Sequence, residues 1–275
     1  MIAKMGAIYS KIKAFLYRDF ISDATYKAAF ILQLFGIFVS VLTYFFLSRM
    51  MGDIGVEYLK PYGGNYFAFV LIGIAFFSYL NVSMKGLANI IREGQMLGTL
   101  EAILVTPTSI PTIILSSSLY GFFWATFKVV VYLLLGAVCF DVNLDQANLT
   151  ATLIILFLTI MSFSGLGIVS ASFIMVLKRG DPIGLLFTSV SGLIGGLYYP
   201  TTVLPEWLQT VAKFLPVTHS LEGMRLAMLK GYTVSQLAPT VLILCGFSAV
   251  ILPASILVFQ QAVRKAKRDG SLTHY

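Results

Sequence analysis

Long apolar stretches separated by short polar connections dominate the pattern of this chain. Six of them are long enough to span a membrane, at residues 26–48, 66–84, 112–140, 149–177, 183–199 and 238–259. A hydrocarbon core needs about 20 predominantly apolar residues per crossing helix, and backbone polar groups cannot stay unpaired in lipid. The pattern therefore predicts an all-α polytopic membrane protein with six transmembrane helices, forming one domain over residues 1–275.

Apolar residues between Ile8 and Leu16 recur at helical spacing ahead of the first span. Lys4, Lys11 and Arg18, seven positions apart, share one edge of the same helix. We expect residues 1–25 to form an amphipathic helix that lies in the membrane interface. A positively charged flank without such a helix is the other interpretation of these residues.

The composition and the charge distribution agree with a membrane domain. The chain is 58% hydrophobic and 11% charged, whereas soluble domains carry about 25% charged residues. Its net charge of +7 is concentrated at the two ends and in the connections that begin near Lys85 and Lys178. That distribution favours anionic lipid over nucleic acid as the partner and predicts that both termini and these two connections face the cytoplasm.

Residues that carry catalytic chemistry are sparse. Cys139 and Cys245 lie within apolar stretches, so they indicate neither a disulfide nor a metal site. His219 and His274 fall on opposite sides of the predicted membrane, and no metalloprotease or serine-hydrolase motif occurs in the sequence. No phosphate-binding Gly-x-x-x-x-Gly-Lys-Ser/Thr loop occurs either. We therefore expect no catalytic residue, no metal and no cofactor bound by this chain.

The connection after the second span has the pattern of a short helix. Leu97, Leu100, Glu101 and Leu104 follow a helical period over residues 91–107, and Pro107 ends the run. A cytoplasmic helix with one apolar face and charged flanks suits docking into a groove on a partner protein. An interfacial helix without a partner fits the same pattern.

Residues 200–225 form an aromatic and proline-rich region on the predicted outer side. Broken helix at membrane depth is tolerated only where protein or a cavity covers it, and aromatic side chains suit the headgroup region. We expect re-entrant helices that cap the outer mouth of a pathway, although an aromatic belt without a gating role fits too. The candidate gate residues are Tyr198, Tyr199, Pro200, Pro205, Trp207, Phe214 and Pro216.

These two regions resemble a known family. Glu93 and the string from Gly98 to Pro107 resemble the cytoplasmic coupling region of ABC type-2 exporter permeases. Pro200, the Leu204-Pro205 and Leu215-Pro216 pairs, and the stretch 219–225 resemble the end of that family's fifth span and its outer re-entrant helices. Together with the six spans, the resemblance covers the whole chain.

The resemblance implies a membrane permease subunit of an ATP-driven exporter in the bacterial inner membrane. It implies a second copy of the chain and two cytoplasmic ABC ATPase subunits, which hold ATP and Mg²⁺. The cargo would be amphipathic (a drug, a lipid or a lipid-linked glycan), moved by alternating access. The implied coupling residues are Arg92, Glu93, Gly98, Thr99, Leu100, Glu101, Thr106 and Pro107, with a smaller contact at Lys178, Arg179 and Asp181.

Small residues form a stripe along the fifth predicted span. Gly184, Gly192 and Gly196 are candidates for the contact between two copies of the chain, and Gly192 and Gly196 are spaced for close helix approach. Packing within one copy is an equally good interpretation of the stripe.

Three polar residues lie within the predicted spans. Lys128 is a functional candidate because a charge inside the membrane is costly, although a lysine whose ammonium group reaches the interface fits as well. Gln33 and Asn81 have the same alternatives, with hydrogen bonding between helices as the simpler one. A channel or an intramembrane enzyme without an ATPase partner is the alternative to the exporter, but no selectivity filter or catalytic cluster is evident.

Overall fold

The computed structural model describes residues 17, 21, 27–52, 55–98, 110–177 and 181–268. Helices form nearly all of these ranges, and none of the described residues is in a strand. In chain order the main helices are α1 (Lys27–Met51), α2 (Tyr66–Met96), α3 (Ile110–Phe140), α4 (Leu149–Leu177), α5 (Pro182–Ile194), α6 (Glu206–Lys213), α7 (Pro216–Leu229) and α8 (Ala238–Arg268). The predicted amphipathic helix over residues 1–25 lies outside the described ranges, apart from Tyr17 and Ile21.

Within the described ranges, five helices are long and apolar enough to cross a membrane. They are α1, α2, α3 over Ser118–Phe140, α4, and α8 over Ala238–Ala266. The predicted all-helical, multi-pass architecture is therefore confirmed. The expected sixth crossing differs, because α5 has only 13 residues, or about 20 Å, against a hydrocarbon core of about 30 Å. The chain leaves the helix at Gly195, and Gly196 has a φ of +84°, so six spans stay a prediction.

Helix α2 continues well beyond the predicted end of the second span at residue 84. Its 31 residues extend about 46 Å. Leu87, Ala88 and Ile91 keep a buried face that packs in one cluster with Met175 of α4 and Val263 of α8. The three helices therefore pack against each other at the same end of the bundle, and this apolar contact explains why α2 remains helical past Lys85.

Side-chain caps mark the starts of two long helices at the opposite end of the bundle. Asn65 accepts a hydrogen bond from the backbone N–H of Ala68 at 3.1 Å and caps α2. Asn148 accepts one from the N–H of Ala151 at 3.0 Å and caps α4. Both bonds satisfy amide groups that the first turn of a helix leaves without intrahelical partners.

Helix α4 is the centre of the bundle and packs against α2, α7 and α8. Small residues on α4 allow close approach: a Cβ atom added to Gly167 would clash with the backbone carbonyl of Ser83 on α2. A Cβ atom added to Gly165 would lie 2.8 Å from Ile251 of α8. Close packing through small residues is typical of membrane helices, because lipid supplies little hydrophobic force between them.

Candidate functional site

The guanidinium group of Arg225, on α7, joins three parts of the chain on the side of the bundle where α2 begins. Its Nε donates to the carbonyl of Phe69 on α2 at 3.0 Å. Its two Nη groups donate to the carbonyls of Gly196 at 2.7 Å and Leu197 at 2.9 Å. The Cζ atom also lies 3.4 Å from the centroid of the Phe69 ring. We call this arrangement the arginine clamp.

The clamp accounts for the irregular backbone that follows α5. Broken helix leaves carbonyl groups without partners, and such groups are costly when buried. Arg225 is only 2% exposed, and it supplies the missing donors while the carbonyls and the Phe69 ring stabilise its charge. Burial lowers the pKa of Arg225 to about 9, against opposing effects of Tyr62 and Glu222, so it remains protonated at neutral pH.

Arg225 is the residue that sequence reasoning left out of the candidate site. In the sequence it ends the stretch 219–225 that contributes to the family resemblance, but no role was assigned to it there. The usable signal was its position between Met224 and Leu226, inside a largely apolar helix. An arginine in such surroundings needs a buried partner and is a functional candidate for that reason.

The predicted gate residues fall into two groups around the clamp. Pro200 and Pro216 are buried, and Tyr198 stacks on Tyr44 of α1 with ring centroids 5.8 Å apart. The Tyr199 hydroxyl donates to the carbonyl of Leu193. The other group is Trp207 and Phe214 on or beside α6, 68% and 74% exposed, with Pro205 at the start of that helix.

Helix α7 is almost completely buried although it is only 14 residues long. Its Ser220 hydroxyl accepts a hydrogen bond from Thr159 of α4 at 2.9 Å. A Cβ atom added to Gly223 would lie 2.7 Å from Ile155, which is also on α4. Helices α6 and α7 are therefore two short helices, one exposed and amphipathic and the other packed into the bundle.

The described part of the predicted coupling region lies at the C-terminal end of α2. Arg92 and Glu93 are exposed there, one turn before Gly98, which ends the helix with a φ of +68°. Gln95, two residues after Glu93, is buried, and its amide donates to the carbonyl of Met175 on α4 at 3.4 Å. The remaining candidates lie outside the described residues, namely Thr99, Leu100, Glu101, Thr106, Pro107, Lys178 and Arg179.

Asp181 caps α5 and ties it to α4. Its carboxylate accepts a hydrogen bond from the N–H of Gly184 at 2.7 Å and another from the Ser170 hydroxyl. A Cβ atom at position 184 would clash with that carboxylate. Gly184 therefore has a local reason to be glycine.

The other two glycines of the predicted dimer stripe also have neighbours within the chain. A Cβ atom on Gly192 would lie 3.9 Å from the Phe77 ring of α2, and Gly196 has the positive φ with which the irregular turn after α5 begins. The large apolar residues that α5 exposes are Leu185, Leu186 and Leu193. A dimer contact at the glycines stays a prediction.

The predicted polar residues of the spans do not form one cluster. Gln33 is half-buried on α1. Asn81 and Lys128 line the same groove between α2 and α3, with a volume of about 400 Å³. The amide of Asn81 also donates to the Phe77 carbonyl within α2 at 3.1 Å.

In the part of the chain that the structure describes, five helices long and apolar enough to cross a membrane define a multi-pass membrane protein. Residues 10–229 match the family described as ABC-2 type transporter. This match covers most of the chain, so the protein belongs to that family.

A similar protein is the linearmycin resistance permease protein LnrN of Bacillus subtilis (strain 168). The two sequences are 24% identical over 182 residues, which cover 65% of this chain. The matched stretch is 46% of the length of LnrN, so the chain spans about half of that relative.

Proposed function

We propose that this chain is the permease subunit of an ATP-driven exporter that moves an amphipathic cargo out of the bacterial cytoplasm by alternating access. The observation that carries the proposal is its membership of the ABC-2 transporter family over residues 10–229. ATP and Mg²⁺ belong to two ATPase subunits in this proposal, and the Arg92–Pro107 region of the permease docks on them.

Helix α2 offers the mechanical connection that such a mechanism needs. Its carbonyl at Phe69 is held by Arg225, and its exposed Arg92 and Glu93 lie about 35 Å further along the same helix. A continuous helix moves as a rigid element. Nucleotide-driven motion at Glu93 would therefore reach the arginine clamp and the turn at Gly196, which we assign to the outer gate.

The packing of the helix ends supports a sixth crossing. The C-terminal parts of α2, α4 and α8 pack in one cluster, at one end of the bundle. Helix α4 begins at the opposite end, where Asn148 caps it. The chain between α4 and α8 must then cross the bundle once, and α5 with the following turn supplies that crossing. Both termini face the cytoplasm in this topology.

A second copy of the chain would cover apolar surface on α1 and α5. Helix α1 exposes Ile31, Leu32 and Phe35, and α5 exposes Leu185 and Leu186. Lipid covers such side chains as well as a protein does, so the homodimer rests on the family resemblance together with this surface.

The cargo proposal starts from the relative. LnrN is named for resistance to linearmycin, so a drug is the first cargo to test, followed by lipids and lipid-linked glycans. We expect the cargo to have one apolar and one polar part, because the helices expose long apolar faces that carry few charges.

Co-purification with an ABC ATPase tests the proposal. The permease would be expressed with the ATPase encoded beside it, and ATP hydrolysis measured in lipid. We expect Glu93→Arg to reduce the recovered ATPase several-fold, because it reverses a charge at the docking end of α2. Glu57→Arg makes the same change on an exposed residue near the start of α2 and serves as the matched control.

Two outcomes would contradict the exporter. If no ATPase associates and the chain conducts ions or solutes in vesicles without ATP, it is a channel. If the purified chain alone converts a lipid or peptide substrate, it is an intramembrane enzyme.

A further inference from the structure

The groove between α2 and α3 has an unusual lining for a membrane-facing surface. Its polar lining residues are Ser78, Asn81, Lys85, Asn89 and Lys128, beside the indole ring of Trp124. None of the described residues that line it is acidic. Its volume of about 400 Å³ lies within the range of small-molecule sites, about 300–1,000 Å³.

The register of the two helices sets the depth of the groove. They run antiparallel, with the Tyr79 hydroxyl donating to Thr126 at 2.7 Å and Gly121 placed against Val82. Lys128 lies 12 residues before the end of α3 at Phe140, about 18 Å along its axis. Lys85 lies 19 residues after the start of α2, about 28 Å along its axis.

These depths place the two lysines in one leaflet. With a hydrocarbon core of about 30 Å, Lys85 reaches the boundary where lipid phosphates lie, and Lys128 lies about 10 Å deeper. This leaflet is the cytoplasmic one in the topology proposed above, and the assignment rests on that proposed function. Lys85 and Asn89 are exposed, whereas Asn81 and Lys128 are half-buried, so the groove leads from the boundary towards the middle of the membrane.

Two glycines define the shape of the groove. Gly86 faces its open space, because a Cβ atom added there would meet no atom within 4 Å. Gly121 lies where α3 approaches α2 closely, because a Cβ atom added there would lie 2.8 Å from Val82. The groove therefore lies beside a close contact of the two helices and has a polar, cationic interior.

We infer that the groove between α2 and α3 binds the phosphate-bearing headgroup of an anionic membrane lipid. Lys85 and Lys128 attract the phosphate charge, and the amides of Asn81 and Asn89 donate hydrogen bonds to its oxygens. Ammonium groups and amide donors together are the chemistry that a phosphate monoester or diester requires.

Trp124 provides a direct reporter of this binding. The chain has two tryptophans, so Trp207→Phe leaves Trp124 as the single tryptophan in the full-length protein, and excitation at the red edge of the spectrum selects it over tyrosine. The variant would be placed in phosphatidylcholine vesicles that contain an equal, small fraction of brominated phosphatidylglycerol or brominated phosphatidylcholine. Bromine quenches the indole only when the labelled lipid is in contact with it. We expect several-fold stronger quenching by phosphatidylglycerol.

Substitutions separate charge from shape. Lys85→Gln and Lys128→Gln should each reduce the preference for phosphatidylglycerol over phosphatidylcholine about fivefold, since a basic residue near an anionic lipid surface contributes about that factor. Lys128→Arg should retain it. Gly86→Leu should abolish it by filling the groove without removing a charge. The matched controls Lys265→Gln and Gly246→Leu lie on α8 outside the groove, and we expect both to retain the preference.

Three results would overturn the inference. Equal quenching by the two lipids would show that the groove does not select an anionic headgroup. Equal losses in Lys265→Gln and Lys85→Gln would show a general surface effect. Loss of the preference on titration with inorganic phosphate would identify a soluble phosphate as the ligand in place of a lipid. None of these results depends on an ATPase, so the permease proposal is tested separately.

Discussion

A single buried arginine determines how the chain can leave a helix inside the bundle. Arg225 binds the carbonyls of Phe69, Gly196 and Leu197, which come from two regions far apart in sequence. Its planar guanidinium group presents several donors in fixed directions, which a lysine cannot do. The clamp therefore couples α2, α7 and the turn after α5 in one contact.

Removal of the arginine should destabilise the protein strongly. Arg225→Met leaves the buried carbonyls of Gly196 and Leu197 without the donors that Arg225 supplies, at about 1–3 kcal/mol for each, and we expect a total loss of at least about 2 kcal/mol. Arg225→Lys should fall between this variant and the wild type. Thermal unfolding followed by tryptophan fluorescence in one detergent measures the difference.

Arg49→Met is the matched control for that series. Arg49 is exposed and lies over the Phe45 ring at 5.4 Å, so its removal leaves no buried acceptor and should change the unfolding temperature little. Similar losses in Arg49→Met and Arg225→Met would contradict the structural role of the clamp.

At the scale of helices, close approach between α2 and α4 depends on one glycine. Gly167 faces the backbone of Ser83 with no room for a methyl group, and the two helices share much of the core around Phe163 and Met84. Because close packing supplies most of the attraction between membrane helices, this contact is sensitive to added volume.

Gly167→Ala should destabilise the bundle by about 1–3 kcal/mol, the usual cost of overpacking a core. Gly246→Ala is the control, because its added Cβ atom meets nothing within 4 Å and a helical alanine is favoured over glycine by up to about 1 kcal/mol. Unfolding temperatures of the two variants in the same detergent check this. A Gly167→Ala protein as stable as the wild type would mean that α2 and α4 can separate without loss.

The helix boundaries illustrate where sequence patterns succeed and where they stop. The apolar stretches at 26–48, 149–177 and 238–259 correspond to α1, α4 and α8. Their ends agree within a few residues, except that α8 continues to Arg268. Helix α2 runs to Met96 because Leu87 and Ile91 pack on α4 and α8, and a hydropathy pattern does not reveal that contact. Helix α5 stops at Ile194 because Arg225 stabilises the carbonyls of the turn that follows.

For the molecule as a whole, the number of membrane crossings depends on the short helix α5. Five of the described helices are long enough by themselves. The shorter α5 must complete the sixth crossing if the ends of α2, α4 and α8 lie on one side. The number of crossings decides whether Lys27 and Arg264 are on the same side of the membrane.

Cysteine labelling distinguishes five crossings from six. In a background with Cys139 and Cys245 replaced by alanine, single cysteines at Lys27 and Arg264 should react with a membrane-impermeant maleimide only after the cells are permeabilised. A cysteine at Lys213, on the exposed helix α6, should react in intact cells. Labelling of Lys27→Cys and Arg264→Cys from opposite sides would mean five crossings.

The sequence by itself determined that this is a helical, multi-pass membrane protein, because apolar stretches of about 20 residues have few alternatives in lipid. Its motifs also led to the ABC-2 family, since Glu93 and the proline-rich region after residue 200 are local patterns. Only the tertiary structure decided which residues Arg225 binds, and that Lys85 and Lys128 share one groove. Those relations depend on the rotation and register of helices distant in sequence, and a linear hydropathy pattern does not contain them.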